Sequence, residues 1–228
     1  MENKIPYHKI DTLFERGKNF NVDTDKLRRP VIATISKWQV TEKVDGTNIR
    51  IMFDGNEVLI SGRSDDAQIN GDLLNILLKM FPVEKLKEIC DPDTEYTFYG
   101  EGYGAGIQKC GSKYRPDKSF RLFDVLVDGR WWLDWDAVSG IASKLGIKTV
   151  PYYGEMSLDK IVELVKTGFS SDVALQDSGT ELDAEGIVAR PLETLFDKRG
   201  YRLIIKLKTI DFTHPVSGQQ EGGETNVE

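Results

Sequence analysis

Five short segments of this 228-residue chain carry polar side chains that a plain core strand does not need. In Lys43-Val44-Asp45-Gly46 a lysine follows a strand-like run, and the glycine lets the backbone turn close to a ligand. A lysine amine becomes a nucleophile when burial or neighbouring cations depress its pKa. A surface lysine beside a turn has the same four letters. In Phe98-Tyr99-Gly100-Glu101-Gly102-Tyr103-Gly104-Ala105-Gly106 the acid Glu101 stands at a strand end before alternating glycines. Such an acid can accept hydrogen bonds from ribose hydroxyls, and a glycine-rich surface loop is the plainer reading. Phe120-Arg121-Leu122-Phe123-Asp124-Val125 offers an aromatic that could stack on a base or simply fill a core. Strand alternation points Phe120, Leu122 and Asp124 one way and Arg121, Phe123 and Val125 the other. Glu185 precedes the apolar run Ile187-Val188-Ala189, where an acid can hold Mg²⁺ directly or through water, or simply be solvated. Lys206 and Lys208 share a face at period two. Two such cations suit a triphosphate between them, or the protected edge of a sheet.

The elements that must position these groups are strands interrupted by a few helices. Strands are expected at residues 40–43, 49–53 and 58–60, with Asp54-Gly55 turning the last two into a hairpin. Further strands are expected at 96–99, 120–127, 130–133, 187–189 and 203–208, with Asp128-Gly129 as a second turn. Residues 72–80 read as a helix with Leu73, Leu74, Leu77 and Leu78 on one face. Asp134 caps a helix closed by Gly146, and Ser157 caps another that ends near Gly168. The sum is an α+β fold of mostly antiparallel sheets with flanking helices.

The order and spacing of the five segments together resemble the covalent nucleotidyltransferases, which include ATP-dependent DNA ligases, RNA ligases and capping guanylyltransferases. The likeness covers roughly residues 38–210. Within that superfamily the chain looks most like RNA ligases of the T4 RNA ligase 2 type. Glu42 before the lysine, Thr47-Asn48 after the glycine, and the compact Glu185-Gly186-Ile187-Val188 and Lys206-Leu207-Lys208 segments carry the resemblance. It implies an ATP-grasp-like ligase adenylation domain with ATP as AMP donor and Mg²⁺ or Mn²⁺ as cofactor. Lys43 would attack the α-phosphorus to form lysyl-AMP, with Lys206, Lys208 and the metal stabilising the leaving pyrophosphate and lowering the lysine pKa. Glu101 would bind ribose, Phe123 would stack on adenine and Glu42 would help read the adenine edge. Arg63, in Ser61-Gly62-Arg63, would contact phosphate and the RNA end, and Asn48 would act in the later steps. Glu185 would support the metal, and Asp124 would stand behind these groups. AMP would pass to a 5′-phosphate of RNA, and a 3′-hydroxyl would then displace it.

Composition bounds this reading. The chain is 39% hydrophobic, enough for one sizeable core, and carries a net charge of −7, so any RNA surface has to be local. Candidate basic patches are Lys109, Lys113, Arg115 and Lys118, and Lys198, Arg199 and Arg202. The two cysteines, Cys90 and Cys110, read as free thiols, and neither His8 nor His214 receives a role. No apolar run is long enough to span a bilayer and no signal peptide is evident, so no membrane partner and a cytoplasmic location are expected. Residues 1–216 read as one nucleotidyltransferase domain and 217–228 as a flexible tail. About twenty residues follow Lys208, so no C-terminal OB domain is expected, and an RNA-binding partner protein could stand in for it. The alternatives are a minimal ATP-dependent DNA ligase and a nucleotide- or RNA-binding module that has lost catalysis.

Overall fold

The computed structural model describes residues 4–17 and 22–213. The chain enters through β1 (Asp11–Thr12), β2 (Phe14–Arg16) and β3 (Val22–Leu27). Next come β4 (Trp38–Glu42), β5 (Thr47–Phe53) and β6 (Val58–Ser61). The Asp54 carboxylate accepts from the Asn56 and Glu57 amides, both at 3.0 Å, which ties the expected β5–β6 turn. Helices α1 (Gly71–Met80) and α2 (Val83–Ile89) lead to β7 (Tyr96–Gly104), α3 (Gly111–Tyr114) and β8 (Lys118–Val127). After β9 (Trp131–Trp132), α4 (Trp135–Leu145) starts at Asp134, whose carboxylate accepts from Ala137 N–H, and ends on left-handed Gly146. The remaining elements are β10 (Lys148–Thr149), β11 (Tyr152–Met156), α5 (Leu158–Thr167), α6 (Asp172–Ser178), β12 (Gly186–Pro191), β13 (Ile205–Lys208) and α7 (Ile210–Thr213).

Two principal sheets result among the described residues. One has the order β1-β13-β12-β4-β11 and the other β10-β8-β7-β5-β6, with β9 on β8. Pairing is antiparallel except at β1–β13 and β10–β8. Period-two alternation gives each sheet two jobs. On the first, Trp38, Val40, Ile187, Ala189, Ile205 and Leu207 form a core with α5 residues Ile161 and Val165. On the second, Ile49, Ile51, Phe53, Phe98, Phe120, Leu122 and Val125 form a core with Leu73, Leu77, Leu86, Val138 and Leu145 of α1, α2 and α4. The opposite faces of the two sheets, bearing Thr41, Val188, Arg190 and Lys206 on one and Asn48, Glu101 and Phe123 on the other, line one cavity.

Several local expectations need correction. Leu78 is 51% exposed, so the buried stripe of α1 is Leu73 and Leu77. Ser157 stands before α5, but its side chain makes no capping hydrogen bond. The last strand starts at Ile205, not residue 203. Alternation along β8 breaks: Tyr99 pairs with Asp124 and Gly100 with Leu122, so Phe123 is an extra residue at a β-bulge. Leu122 and Val125 therefore share the helix-covered core, while Phe123 and Asp124 both face the cavity. Cys90 and Cys110 are free, as expected. Burial pushes the Cys90 thiol up to about 12. The tail 217–228 and His214 lie outside the described residues. Among the described residues no helix is long and apolar enough to cross a membrane.

Candidate active site

Lys43 follows β4 and lines the cavity, held by a hydrogen bond from its amide to the Gly186 carbonyl at 2.9 Å. The turn behind it is crowded. A Cβ on Gly46 would stand 2.3 Å from the Gly102 carbonyl oxygen and 2.8 Å from the Glu101 side chain, so only glycine lets this turn lie on β7. Gly186 has the same necessity on the other side, with φ +147° and a would-be Cβ 2.1 Å from the Leu207 carbonyl. These two glycines let Lys43, Glu101, Glu185 and Lys208 converge.

The Lys43 Nζ donates to Glu185 Oε2 at 2.6 Å, and Lys208 Nζ donates to Glu185 Oε1 at 2.6 Å. Burial alone would raise the Glu185 carboxyl. The Lys43 charge and the hydrogen bonds from Lys208 and Lys43 outweigh it and hold Glu185 below the usual carboxylate range. Lys206 lines the cavity; burial, and then the Lys43, Lys208 and Lys9 charges, lower its pKa. The repulsion between Lys206 and Lys208 thus has part of its answer inside the chain, in Glu185.

Glu101 behaves differently. Burial is the largest influence on it; Glu185 and Asp45 add to the rise, Lys43 and the Gly46 amide oppose it, and the carboxyl is pushed up to about 8. It is therefore largely protonated at neutral pH and can donate as well as accept a hydrogen bond. Asp45 is also raised, by burial and then by Glu185. Asn48 lines the same wall, and its Oδ1 is buried without a hydrogen-bond partner. Such an atom costs free energy until a donor meets it.

Phe123 is braced from behind by Tyr7, ring centroids 5.0 Å apart at 70°. The Tyr7 hydroxyl donates to Asp124 at 2.9 Å, Arg190 donates to the same carboxylate at 3.0 Å, and Arg202 donates to it as well. The Arg202 guanidinium lies 3.4 Å from the Trp132 ring centroid. Burial would raise Asp124, but Arg202 and Arg190 hold it below the usual range. Arg50, fully buried, donates to the Gly62 carbonyl at 2.9 Å and to Asp65 at 2.6 Å, which fixes the loop that presents Arg63.

The structure places Glu42, Lys43, Asn48, Arg63, Glu101, Phe123 and Lys206 on one cavity of about 240 Å³, with Glu185 and Lys208 joined to it through Lys43. Glu42 has a particular position: its carboxylate accepts from the Ser171 hydroxyl, from Tyr153 at 3.0 Å and from the Val173 amide at 3.2 Å. It anchors the start of α6 while backing the cavity.

The basic patches divide. Arg115 pairs with Asp117 and Asp177, Lys118 with Asp72, and Arg199 with Asp197. Arg202 is only 6% exposed, and its guanidinium belongs to the Asp124 network. The cavity wall also includes Tyr7, His8, Lys9, Gln39, Trp135 and Arg190. The alternation Val188, Arg190 on β12 could have signalled one of these. The aromatic and basic triple Tyr7-His8-Lys9, far from any motif, gave no such signal.

For a divalent metal, no trio of His, Cys, Asp or Glu side chains forms a ligand cluster among the described residues. Glu185 beside two lysines suits a cation carried mainly by substrate phosphates and water, with one carboxylate from the protein, which is how Mg²⁺ is commonly held.

The chain matches the RNA ligase family over residues 36–208. Its structure is similar to that of a Naegleria gruberi RNA ligase with PPi, with TM-score 0.61 and 18% identity over 91% of this chain and 58% of that one. Two mutant forms of that ligase also match. One, with AMP and Mn, has TM-score 0.62 and 18% identity over 90% of this chain and 57% of that one. The other, with ATP and Mn, has TM-score 0.64 and 17% identity over 90% of this chain and 56% of that one. The chain therefore spans less than two thirds of these structures, and at such identity the likeness is one of fold.

Proposed function

The chain belongs to the RNA ligase family, and from that premise we propose that it joins RNA 5′-phosphate and 3′-hydroxyl ends with ATP, through AMP carried on Lys43. The observation that carries the reading is the position of Lys43. It is a lysine on the wall of a cavity also lined by Phe123, Glu101, Asn48, Lys206 and Arg63.

In the first step the Lys43 nitrogen must leave the Glu185 carboxylate and lose one proton to solvent, and it gives up a second as its bond to phosphorus forms. It then forms a nitrogen–phosphorus bond to the α-phosphorus of ATP while the bond from that phosphorus to the bridging oxygen breaks and pyrophosphate departs. Phe123 stacks on the base, Glu101 bonds the ribose, and Lys206 and Lys208 balance charge on the departing phosphates. Mg²⁺ or Mn²⁺ on the phosphates, with Glu185 as its protein ligand, would neutralise further charge.

In the second step an oxygen of the RNA 5′-phosphate attacks the adenylyl phosphorus. The nitrogen–phosphorus bond breaks, and the Lys43 nitrogen takes back from solvent the two protons it gave up. In the third, the RNA 3′-hydroxyl attacks the activated 5′-phosphate, loses its proton to solvent, and AMP leaves with the bonding pair. Asn48 Oδ1, buried and without a partner, is a ready acceptor for a substrate hydroxyl during these later steps. Holding the ends in line is the main contribution here.

The test is covalent labelling. With α-labelled ATP and Mg²⁺ the chain takes up label, and Lys43→Ala takes up none. Sealing is then compared on nicked RNA, nicked DNA and single-stranded RNA. Absence of any label on the wild-type chain across pH and metal rejects the mechanism, and efficient sealing of all-DNA nicks with none of RNA overturns the substrate assignment.

A further inference from the structure

A second cleft, of about 690 Å³, opens beside the nucleotide cavity, between the Tyr7–Asp11 segment and the segment leading into β13. The two share Tyr7, His8, Lys9, Arg63 and Ile204 on their walls, so they meet at a border where two cations stand. An aromatic ladder runs from that border into the second cleft. Tyr7 and His8 are stacked at 5.3 Å and 19°, and His8 and Tyr201 at 6.3 Å and 29°. Tyr201 ends the ladder and is 50% exposed, with the Arg199 guanidinium 5.7 Å from its ring centroid.

The sequence of chemistry across this surface is phosphate cavity, cationic border, aromatic shelf. It matches the order of groups on a polynucleotide end: phosphate, then sugar, then base. We infer that the cleft receives the first nucleoside of the RNA strand that bears the 5′-phosphate, with its phosphate between Lys9 and Arg63 and its base on the Tyr201 ring. The inference rests on the ligase reading above and deepens it by assigning the seat of one substrate strand.

Two further facts support it. The His8 Nε2 is buried and has no hydrogen-bond partner, which is costly unless a ligand group meets it. Burial and the Arg202 charge lower the His8 pKa, and its ring bonds the Arg202 backbone. The remaining nitrogen of a neutral ring is then an acceptor, suited to a sugar hydroxyl. Base–aromatic stacking tolerates any base, as an end-joining enzyme requires.

The experiment uses the full chain without ATP and short 5′-phosphorylated RNAs carrying 2-aminopurine at the 5′-terminal or at the 3′-terminal position. Stacking quenches this fluorophore. At saturating protein the 5′-terminal probe is expected to lose emission and the 3′-terminal probe to keep it. Tyr201→Ala is expected to bind the RNA about 5–150-fold more weakly, the range that loss of one base–aromatic stack gives, and to restore the emission, while Tyr201→Phe keeps both. Unchanged 5′-terminal emission at saturation, quenching of the 3′-terminal probe instead, or no RNA binding would each overturn the assignment. Labelling of Lys43 by ATP in the same preparation separates the two readings. Label without quenching rejects only the strand seat, whereas absence of label rejects the ligase reading.

Discussion

The Nζ of Lys43 and the Oε2 of Glu185 lie 2.6 Å apart. The contact ties the end of β4 to the start of β12, strands that pair from Glu42 opposite Ile187 onward. The other oxygen of the same carboxylate holds Lys208. One acid thus keeps two cations beside the cavity, and under the proposed mechanism Lys43 has to leave it in order to attack.

That arrangement makes Glu185 a group whose loss is felt twice. Glu185→Ala leaves Lys43 and Lys208 without their shared anion and removes the carboxylate proposed to support the metal. Lys43 labelling is expected to need about 10–100-fold more Mg²⁺, the scale on which groups supporting a metal site act. Titrating the labelling rate with metal checks this, and an unchanged metal requirement removes Glu185 from that role. The sign of the pH effect follows from the depressed Glu185 carboxyl. Its stabilising contribution is present above the ordinary carboxylate range and fades as pH falls through the lower folded value, so the variant loses part of the wild type's acid sensitivity.

Glu101 gives the opposite pH dependence. Its folded-state pKa of about 8 lies above the ordinary 4.5. The folded chain therefore holds a proton that the unfolded chain releases, and stability falls as pH rises from about 4.5 to about 8, by up to about 1.4 kcal/mol per pH unit crossed. Glu101→Gln, neutral throughout, should remove that slope. Thermal unfolding between pH 5 and pH 9 measures it, and parallel curves for the two proteins would show that burial does not hold the proton.

Phe123→Ala should raise the ATP concentration needed for half-maximal labelling by roughly 5–150-fold, because one base–aromatic stack is worth about 1–3 kcal/mol. Phe123→Trp keeps a ring and should recover most of it. A titration of labelling against ATP decides, and equal midpoints for wild type and the alanine variant would place the base elsewhere.

The same residue shows what a sequence can and cannot disclose. Lys43, Glu185 and Lys206 were legible because each is a polar group standing at a strand end or on a strand's alternate face, whereas Glu101, expected at a strand end, stands inside β7, which runs on to Gly104. Phe123 was legible as an aromatic in the right segment, but strict alternation set it opposite Asp124. The bulge on β8, which turns both toward the cavity, depends on how β7 lies beside it, a long-range fact with no local signature. The buried role of Arg202 was hidden for a similar reason. In sequence it sits among loop charges, and only packing brings it to Tyr7, Trp132 and Asp124. The short helices at Val83–Ile89 and Asp172–Ser178 were missed because so few turns carry little periodicity, and tertiary contacts at Leu86 and at Glu42 hold them.

Asp124 should be the costliest of these residues to remove. It is 1% exposed and accepts from Tyr7, Arg190 and Arg202. Asp124→Ala leaves two guanidinium groups facing each other with no anion between them, and breaking a buried pair in this way costs about 3–5 kcal/mol. Chemical denaturation of the two proteins should show a loss on that scale. Asp124→Asn keeps an acceptor but not the charge, so an intermediate loss is expected. Because Arg202 and Arg190 depress the Asp124 carboxyl, its contribution is present above the ordinary carboxylate range and fades as pH falls through the lower folded value. The gap between wild type and Asp124→Ala should therefore narrow in acid. Tyr7 braces Phe123, so the alanine variant should also lose ATP affinity even where enough of it remains folded to label. A variant that keeps wild-type stability and ATP affinity would show that the network does not position Phe123.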